Sequence, residues 1–131
     1  MNDNDILLLD TNTILYLING DEKVLQLIDE KTIALNFIIE IELLSWPYLT
    51  TKLEQLLKGI INDSRYYDYS YNLKQQTIAI RREYKLKLGD AFIAATALTY
   101  DLTLISADKV FSKIPSLKFI NFTPSTQTKN I

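Results

Sequence analysis

The sequence predicts a three-layer α/β/α sandwich built on a mostly parallel sheet of about five strands. Two patterns lead there. Runs such as Ile6-Leu7-Leu8-Leu9, wholly apolar, and Leu102-Thr103-Leu104-Ile105, interrupted only by Thr103, read as strands buried on both faces. Longer segments with helical spacing separate these runs. Strands that alternate with helices imply a parallel sheet, right-handed crossovers and helices on both faces. At 131 residues the chain suits one domain with a sizeable core. That domain is expected over residues 1–123, with a polar, frayed tail over 124–131.

In chain order, the first strand runs into Asp10, and residues 11–19 predict a short helix stopped at Asn19-Gly20. Residues 21–30 predict a second helix with Val24, Leu25, Leu27 and Ile28 on its apolar side. A strand is expected over 32–37 and a helix over 38–46, which Pro47 ends because it has no N–H to donate. Over 50–61 the spacing of Leu53, Leu56, Leu57, Ile60 and Ile61 gives an amphipathic helix. The tyrosine-rich stretch 66–71 predicts a strand near a sheet edge. Helices follow over 73–84 and 90–100. The second carries Ala91, Ala94, Ala95 and Ala97, small residues that allow close approach to the sheet. Strands over 102–106 and 117–122 complete the set, with a short helical turn at 109–113 between them.

Composition narrows the chemistry. The chain has no cysteine and no histidine. Thiolate zinc sites, cysteine nucleophiles, Ser-His-Asp triads and a histidine general base are therefore excluded. Hydrolysis here has to run on carboxylates, with an oxygen-bound metal. The net charge of −2 argues against a broadly basic nucleic-acid binder, though not against a locally basic face. The N-terminal Asp3 and Asp5, with no basic region, do not resemble a signal peptide. The apolar stretch around residues 35–46 is broken by Glu40 and Glu42, so no membrane span is expected. A soluble, cytoplasmic protein is the expectation.

Four acids fall where this architecture brings strand ends and helix starts together. Asp10 ends the first strand, Glu42 lies in the first turns of the helix after the second, and Asp108 follows the fourth. Asp90 opens a helix that runs antiparallel to the strand it feeds, so its start shares an edge with Asp10. Each acid also has a simpler use: Asp10, Asp90 and Asp108 are good helix caps, and Glu42 can be solvated. Glu40 competes with Glu42, but two residues apart on a helix they face nearly opposite ways. Capping alone gives no reason for all four to share one edge. Crowded carboxylates persist only if protons or a divalent cation relieve their repulsion, and magnesium or manganese suits an all-oxygen site.

These residues resemble the PIN-domain ribonucleases, and within them the VapC-type toxins of bacterial toxin–antitoxin pairs. The resemblance spans nearly the whole chain. It rests on Leu8-Leu9-Asp10-Thr11-Asn12, Glu40-Ile41-Glu42-Leu43-Leu44-Ser45-Trp46-Pro47, Lys87-Leu88-Gly89-Asp90-Ala91-Phe92-Ile93-Ala94-Ala95-Thr96-Ala97 and Leu104-Ile105-Ser106-Ala107-Asp108-Lys109-Val110-Phe111. It implies a PIN-like sandwich in which Asp10, Glu42, Asp90 and Asp108 bind one or two Mg2+ or Mn2+ ions. The family places its second acid directly before a leucine pair, which favours Glu42 over Glu40. Thr11, Asn12 and Ser106 match the small polar residues that support the metal site. Asn36 and Ile39 depart from the serine and threonine common in relatives. The implied activity is endoribonuclease cleavage of RNA, leaving a 5′-phosphate and a 3′-hydroxyl. A small cognate antitoxin and a homodimer are the implied partners.

Other segments admit two uses. Lys74, Arg81, Arg82, Lys85 and Lys87 form the most basic stretch, either a solvated helix face or, for Arg81, Arg82 and Lys85 especially, RNA contacts. Tyr66, Tyr67, Tyr69 and Tyr71 suit packing, or base stacking on RNA. Surplus apolar helix faces suit a dimer or an antitoxin groove, and Trp46 suits either such a surface or burial in the core. A haloacid-dehalogenase phosphatase needs an acid where Asn12 stands, and a receiver domain needs its acids grouped near the start. The remaining alternative is a catalytically degenerate PIN-like module that binds RNA or a protein partner without cleavage.

Overall fold

Ile6-Leu7-Leu8-Leu9 forms the central strand β1 (Ile6–Leu9), with all four side chains buried. The computed structural model describes residues 5–125. Around β1 lie β2 (Thr32–Asn36), β3 (Arg65–Tyr67), β4 (Thr103–Ser106) and β5 (Phe119–Asn121). The sheet order is β3-β2-β1-β4-β5, and every neighbouring pair is parallel. Leu8 is level with Ala34 on one side and Leu104 on the other. The chain winds outward from β1 to β3, then returns to the opposite side of β1 for β4 and β5. The gap beyond the ends of β1 and β4 is therefore the topological switch point, where open α/β sheets place their ligands.

Six α-helices flank this sheet among the described residues: α1 (Thr11–Ile18), α2 (Glu22–Ile28), α3 (Phe37–Leu44), α4 (Thr51–Asp63), α5 (Tyr71–Tyr84) and α6 (Leu88–Tyr100). Most begin at a side-chain cap. Asp21 accepts from the N–H groups of Lys23 and Val24, Thr50 from Leu53, and Ser70 from Leu73. The core is one cluster that includes Leu8, Leu9, Ile14, Leu35, Leu57 and Leu104. Helix α6 buries Ala91 and every side chain from Ile93 to Ala97, because alanines let it lie close against its neighbours. None of the described helices is long and apolar enough to cross a membrane.

Two expected elements need correction. The strand over 66–71 is only Arg65–Tyr67, because Ser70 caps α5 and that helix starts at Tyr71. Of its tyrosines, Tyr67 lies against Tyr100 and Tyr69 against Phe37, while Tyr66, Tyr69 and Tyr71 stay exposed. Helix α6 starts at Leu88, not Asp90, and its cap position is Lys87, which makes no side-chain capping bond. Gly89 has no positive φ and continues the helix. At the other end of the chain, Ser125 accepts a hydrogen bond from the Glu22 N–H at 3.0 Å. The rest of the expected tail, residues 126–131, lies outside the described residues.

Asn36 joins two layers. Fully buried at the end of β2, it caps α3 by accepting from the Ile39 N–H at 2.9 Å. Its amide also donates to the Thr96 hydroxyl of α6 at 2.9 Å. Asn36→Ala is expected to destabilise the protein by about 2 kcal/mol, since a cap is removed and a buried hydrogen bond is left unmade. Thr50→Ala, at a less buried cap, is expected to cost about 1 kcal/mol. Urea denaturation with an unchanged m-value measures both, and equal losses at the two sites would show that the bond to Thr96 adds nothing.

Candidate active site

Asp10 is the first residue beyond β1 and the cap of α1, and it is buried. Its Oδ1 accepts from the Thr13 N–H at 3.1 Å and lies 2.5 Å from the Thr13 hydroxyl. That hydroxyl is shared with the Ile105 carbonyl of β4 at 3.1 Å. Oδ2 accepts from the Ser106 hydroxyl at 2.5 Å, and Ser106 Oγ accepts in turn from the Asp108 N–H at 3.0 Å. The bonds cross the switch point from β1 to β4. Asp10 is thus a helix cap and a member of the acid cluster at once.

Glu42, exposed on α3, accepts from the Thr11 hydroxyl through Oε1. Its Oε2 would lie 3.3 Å from a Cβ built on Gly89, so the missing side chain at 89 leaves room for it beside α6. Asp90 is the third residue of α6 and half-buried. Asp108 caps the 3-10 turn Lys109–Lys113 by accepting from the Val110 N–H at 2.9 Å. The four acids, with Thr11, Asn12 and Ile93, line one cleft of about 200 Å³. A second hollow of about 160 Å³ adjoins it at Asp10, Asn12 and Asp108 and adds Tyr16 and Ser106.

Burial pushes the Asp10 carboxyl above the ordinary carboxylate value of 3.8, while hydrogen bonds from Ser106 and Thr13 pull it back. The Asp90 carboxyl is also raised. Burial is the largest cause, followed by the charges of Asp108, Asp10 and Glu42, against the opposing charge of Lys87. Asp90 therefore senses all three of the other acids. A divalent cation is the ligand that relieves such a field, and the all-oxygen donor set suits Mg2+ or Mn2+. The donor chemistry fits, but the geometry is open: among the described residues no three acids already stand close enough to enclose an ion.

Glu40 is turned away from the cleft and accepts from the Tyr66 hydroxyl at 2.5 Å. Arg81, Arg82 and Lys85 lie elsewhere, with Lys74, along a groove of about 620 Å³ between α5 and the start of α6. Thr13 and Gly89 are site residues that the sequence reading does not single out. Thr13 carries a usable signal, standing three residues after a capping Asp. The role of Gly89 depends on where Glu42 arrives from another helix, and no local pattern records that.

The family model described as "PIN domain" matches residues 7–117. Among solved structures, the chain is similar to a chain of a toxin–antitoxin complex from Klebsiella pneumoniae, with 28% identity and a TM-score of 0.76, covering 88% of this chain and 96% of that one. It is also similar to a chain of VapBC2 from Rickettsia felis bound to a promoter DNA fragment, with 26% identity and a TM-score of 0.75, covering 90% and 99%. DNA-bound VapBC from Salmonella typhimurium shares the fold at 22% identity, with a TM-score of 0.75 and coverage of 88% and 96%. None of the curated proteins compared with the chain matches it.

The raised carboxyls give a signed prediction. The folded chain holds these protons more tightly than the unfolded chain. The stabilisation they contribute is therefore complete below about 3.8 and lost as pH rises through the raised folded values. Asp90→Asn removes one charge from the cluster, so its melting temperature in EDTA at pH 7 is expected above that of the wild type. The gap is expected to close on acidification. A lower melting temperature at pH 7, with the gap closing on acidification, would show that Asp90 is stabilising as an anion.

Proposed function

The chain belongs to the PIN-domain family, and from that premise we propose that it is a metal-dependent endoribonuclease, the VapC-type toxin of a toxin–antitoxin pair acting in the cytoplasm. The observation that carries the reading is the convergence of Asp10, Glu42, Asp90 and Asp108 on one cleft at the switch point. With no histidine or cysteine in the chain, these carboxylates are the groups available for the chemistry. They would hold Mg2+ or Mn2+, which when bound polarises a phosphodiester and lowers the pKa of an attacking water. Ser106 and Thr13 orient Asp10 from two directions and keep its oxygens fixed. Thr11 fixes Glu42 in the same way. Asn12 is exposed in the cleft, where its amide can meet substrate.

The similarity to chains of toxin–antitoxin complexes supports a small cognate antitoxin as partner. Ile18, Leu53 and Leu56 line an apolar hollow of about 260 Å³ between α1 and α4 that suits such a partner, and Leu56 is 49% exposed there. A homodimer is part of the same reading.

Asp10→Ala is expected to lower Mn2+-dependent RNA cleavage by at least about a hundredfold, the scale for loss of a preorganised electrostatic group. Millimolar Mn2+ is expected to raise the melting temperature of the wild type over EDTA through linkage, and to do so less in the variant. A folded wild type that neither cleaves RNA nor responds to Mn2+ would instead fit a binding module without catalysis. Gly89→Ala separates positioning from stability. Alanine favours the helix, by up to about 1 kcal/mol, yet its Cβ crowds Glu42. The expected result is equal or higher thermal stability with cleavage reduced about tenfold or more; unchanged cleavage would mean that Glu42 need not sit over α6.

A further inference from the structure

We propose that the groove between α5 and α6 is a phosphodiester-binding site for the RNA strand that leads into the carboxylate cleft. The proposal rests on the ribonuclease reading. Lys74, Ile78, Arg81 and Lys85 recur at spacings of three and four residues, so they form one stripe along and just beyond α5, with Arg82 beside it. Four cations border the groove, and the apolar Leu88 and Phe92 of α6 close its other side. Ile78 and Leu88 are 46% and 53% exposed, which leaves apolar surface for base faces.

No carboxylate neutralises these cations among the described residues. The salt bridges there join Lys31 to Asp5, Lys58 to Glu54 and Lys118 to Asp101, and none involves the groove. Lys74 lies over the Tyr71 ring, 5.1 Å from its centre. Arg81 gives its Nε–H to the Leu86 carbonyl at 3.3 Å, which holds its guanidinium at the groove. A chain of net charge −2 thus concentrates unneutralised positive charge in a broad concavity of about 620 Å³.

The catalytic cleft needs such a complement, because four carboxylates repel a polyanion. The two places share one helix. The first turns of α6 give Leu88 and Phe92 to the groove and Asp90 and Ile93 to the cleft. They take different residues of the same turns, and a helix with its side chains is about 10 Å across, a distance that a few nucleotides of single strand span. Lys87, exposed at the cap position of α6, acts by its charge on Asp90 of the cleft. An acidic protein segment would meet the same cations, but it would have no reason to continue over α6 into a cluster of carboxylates.

The test is binding of a fluorescent single-stranded RNA of about twenty nucleotides to the full chain in EDTA, followed by anisotropy across a salt series. Arg82→Gln with Lys85→Gln is the informative variant, since Arg81 also supports the Leu86 carbonyl. Lys23→Gln with Lys58→Gln is the control of equal charge change. The groove variant is expected to bind about tenfold more weakly, with the slope of log K against log salt shallower by about 0.7 for each phosphate no longer neutralised. The control is expected to bind like the wild type. In Mn2+ the groove variant is expected to raise KM on this RNA far more than it lowers kcat. Equal affinity and equal slope for variant and wild type would overturn the proposal, as would equal weakening by the control. Weaker binding of a fluorescent polyglutamate peptide by the groove variant, with RNA binding intact, would assign the groove to an acidic protein segment instead. Because binding in EDTA needs no chemistry, the groove is tested even if the wild type cleaves nothing, the result that would sink the ribonuclease reading.

Discussion

Four carboxylates must be kept at one edge of one sheet against their mutual repulsion, and much of the architecture serves that requirement. Among the described residues the acids are not packed closely enough to enclose an ion, yet Asp90 still feels the charge of the other three. The burden is unevenly spread. Asp10, at the centre, is buried, and hydroxyl and amide donors compensate it on both oxygens. Asp90 is less well supplied, and its carboxyl is raised first by burial and then by all three of its acidic neighbours. Glu42 and Asp108 remain open to water. A cation bound there, as proposed above, would relieve that repulsion.

The supporting groups come from places far apart in sequence but adjacent at the switch point. Ser106 reaches Asp10 across 96 residues, and Thr11 reaches Glu42 across 31. Asn36 ties the start of α3 to α6, so the helices that carry Glu42 and Asp90 share a buried hydrogen bond. Gly89 leaves the space in which the two meet. The polar network and the core are therefore one object: the strands and helices that bury Leu8, Leu35 and Leu104 also deliver the site. Each donor is small, so it fixes a carboxylate without filling the cleft.

Charge is separated rather than mixed. Acids occupy one flank of the first turns of α6 and cations border the groove on the other. A chain with 16 acids and 14 bases keeps its acid cluster and its cation-lined groove on different flanks of α6.

Much of the fold was readable from the sequence because burial on both faces leaves a strong local signal. The apolar runs of β1 and β4 and the stripe of α4 marked their elements within a few residues, and alternation with helices implied the parallel sheet. The four acids could be assigned to one edge by topology alone, since strand ends and the starts of returning helices must share it. Local pattern misled where a three-residue edge strand and a serine cap shared a run of tyrosines, and where Asp90 looked like the cap of a helix that starts at Leu88. The resemblance favours Glu42 over Glu40, and only the tertiary structure gives the physical reason. Glu42 and Glu40 are equally plausible on a helical wheel, and the choice depends on Thr11 and Gly89 receiving one and Tyr66 the other. Those partners are set by packing between distant segments, which spacing along the chain does not encode.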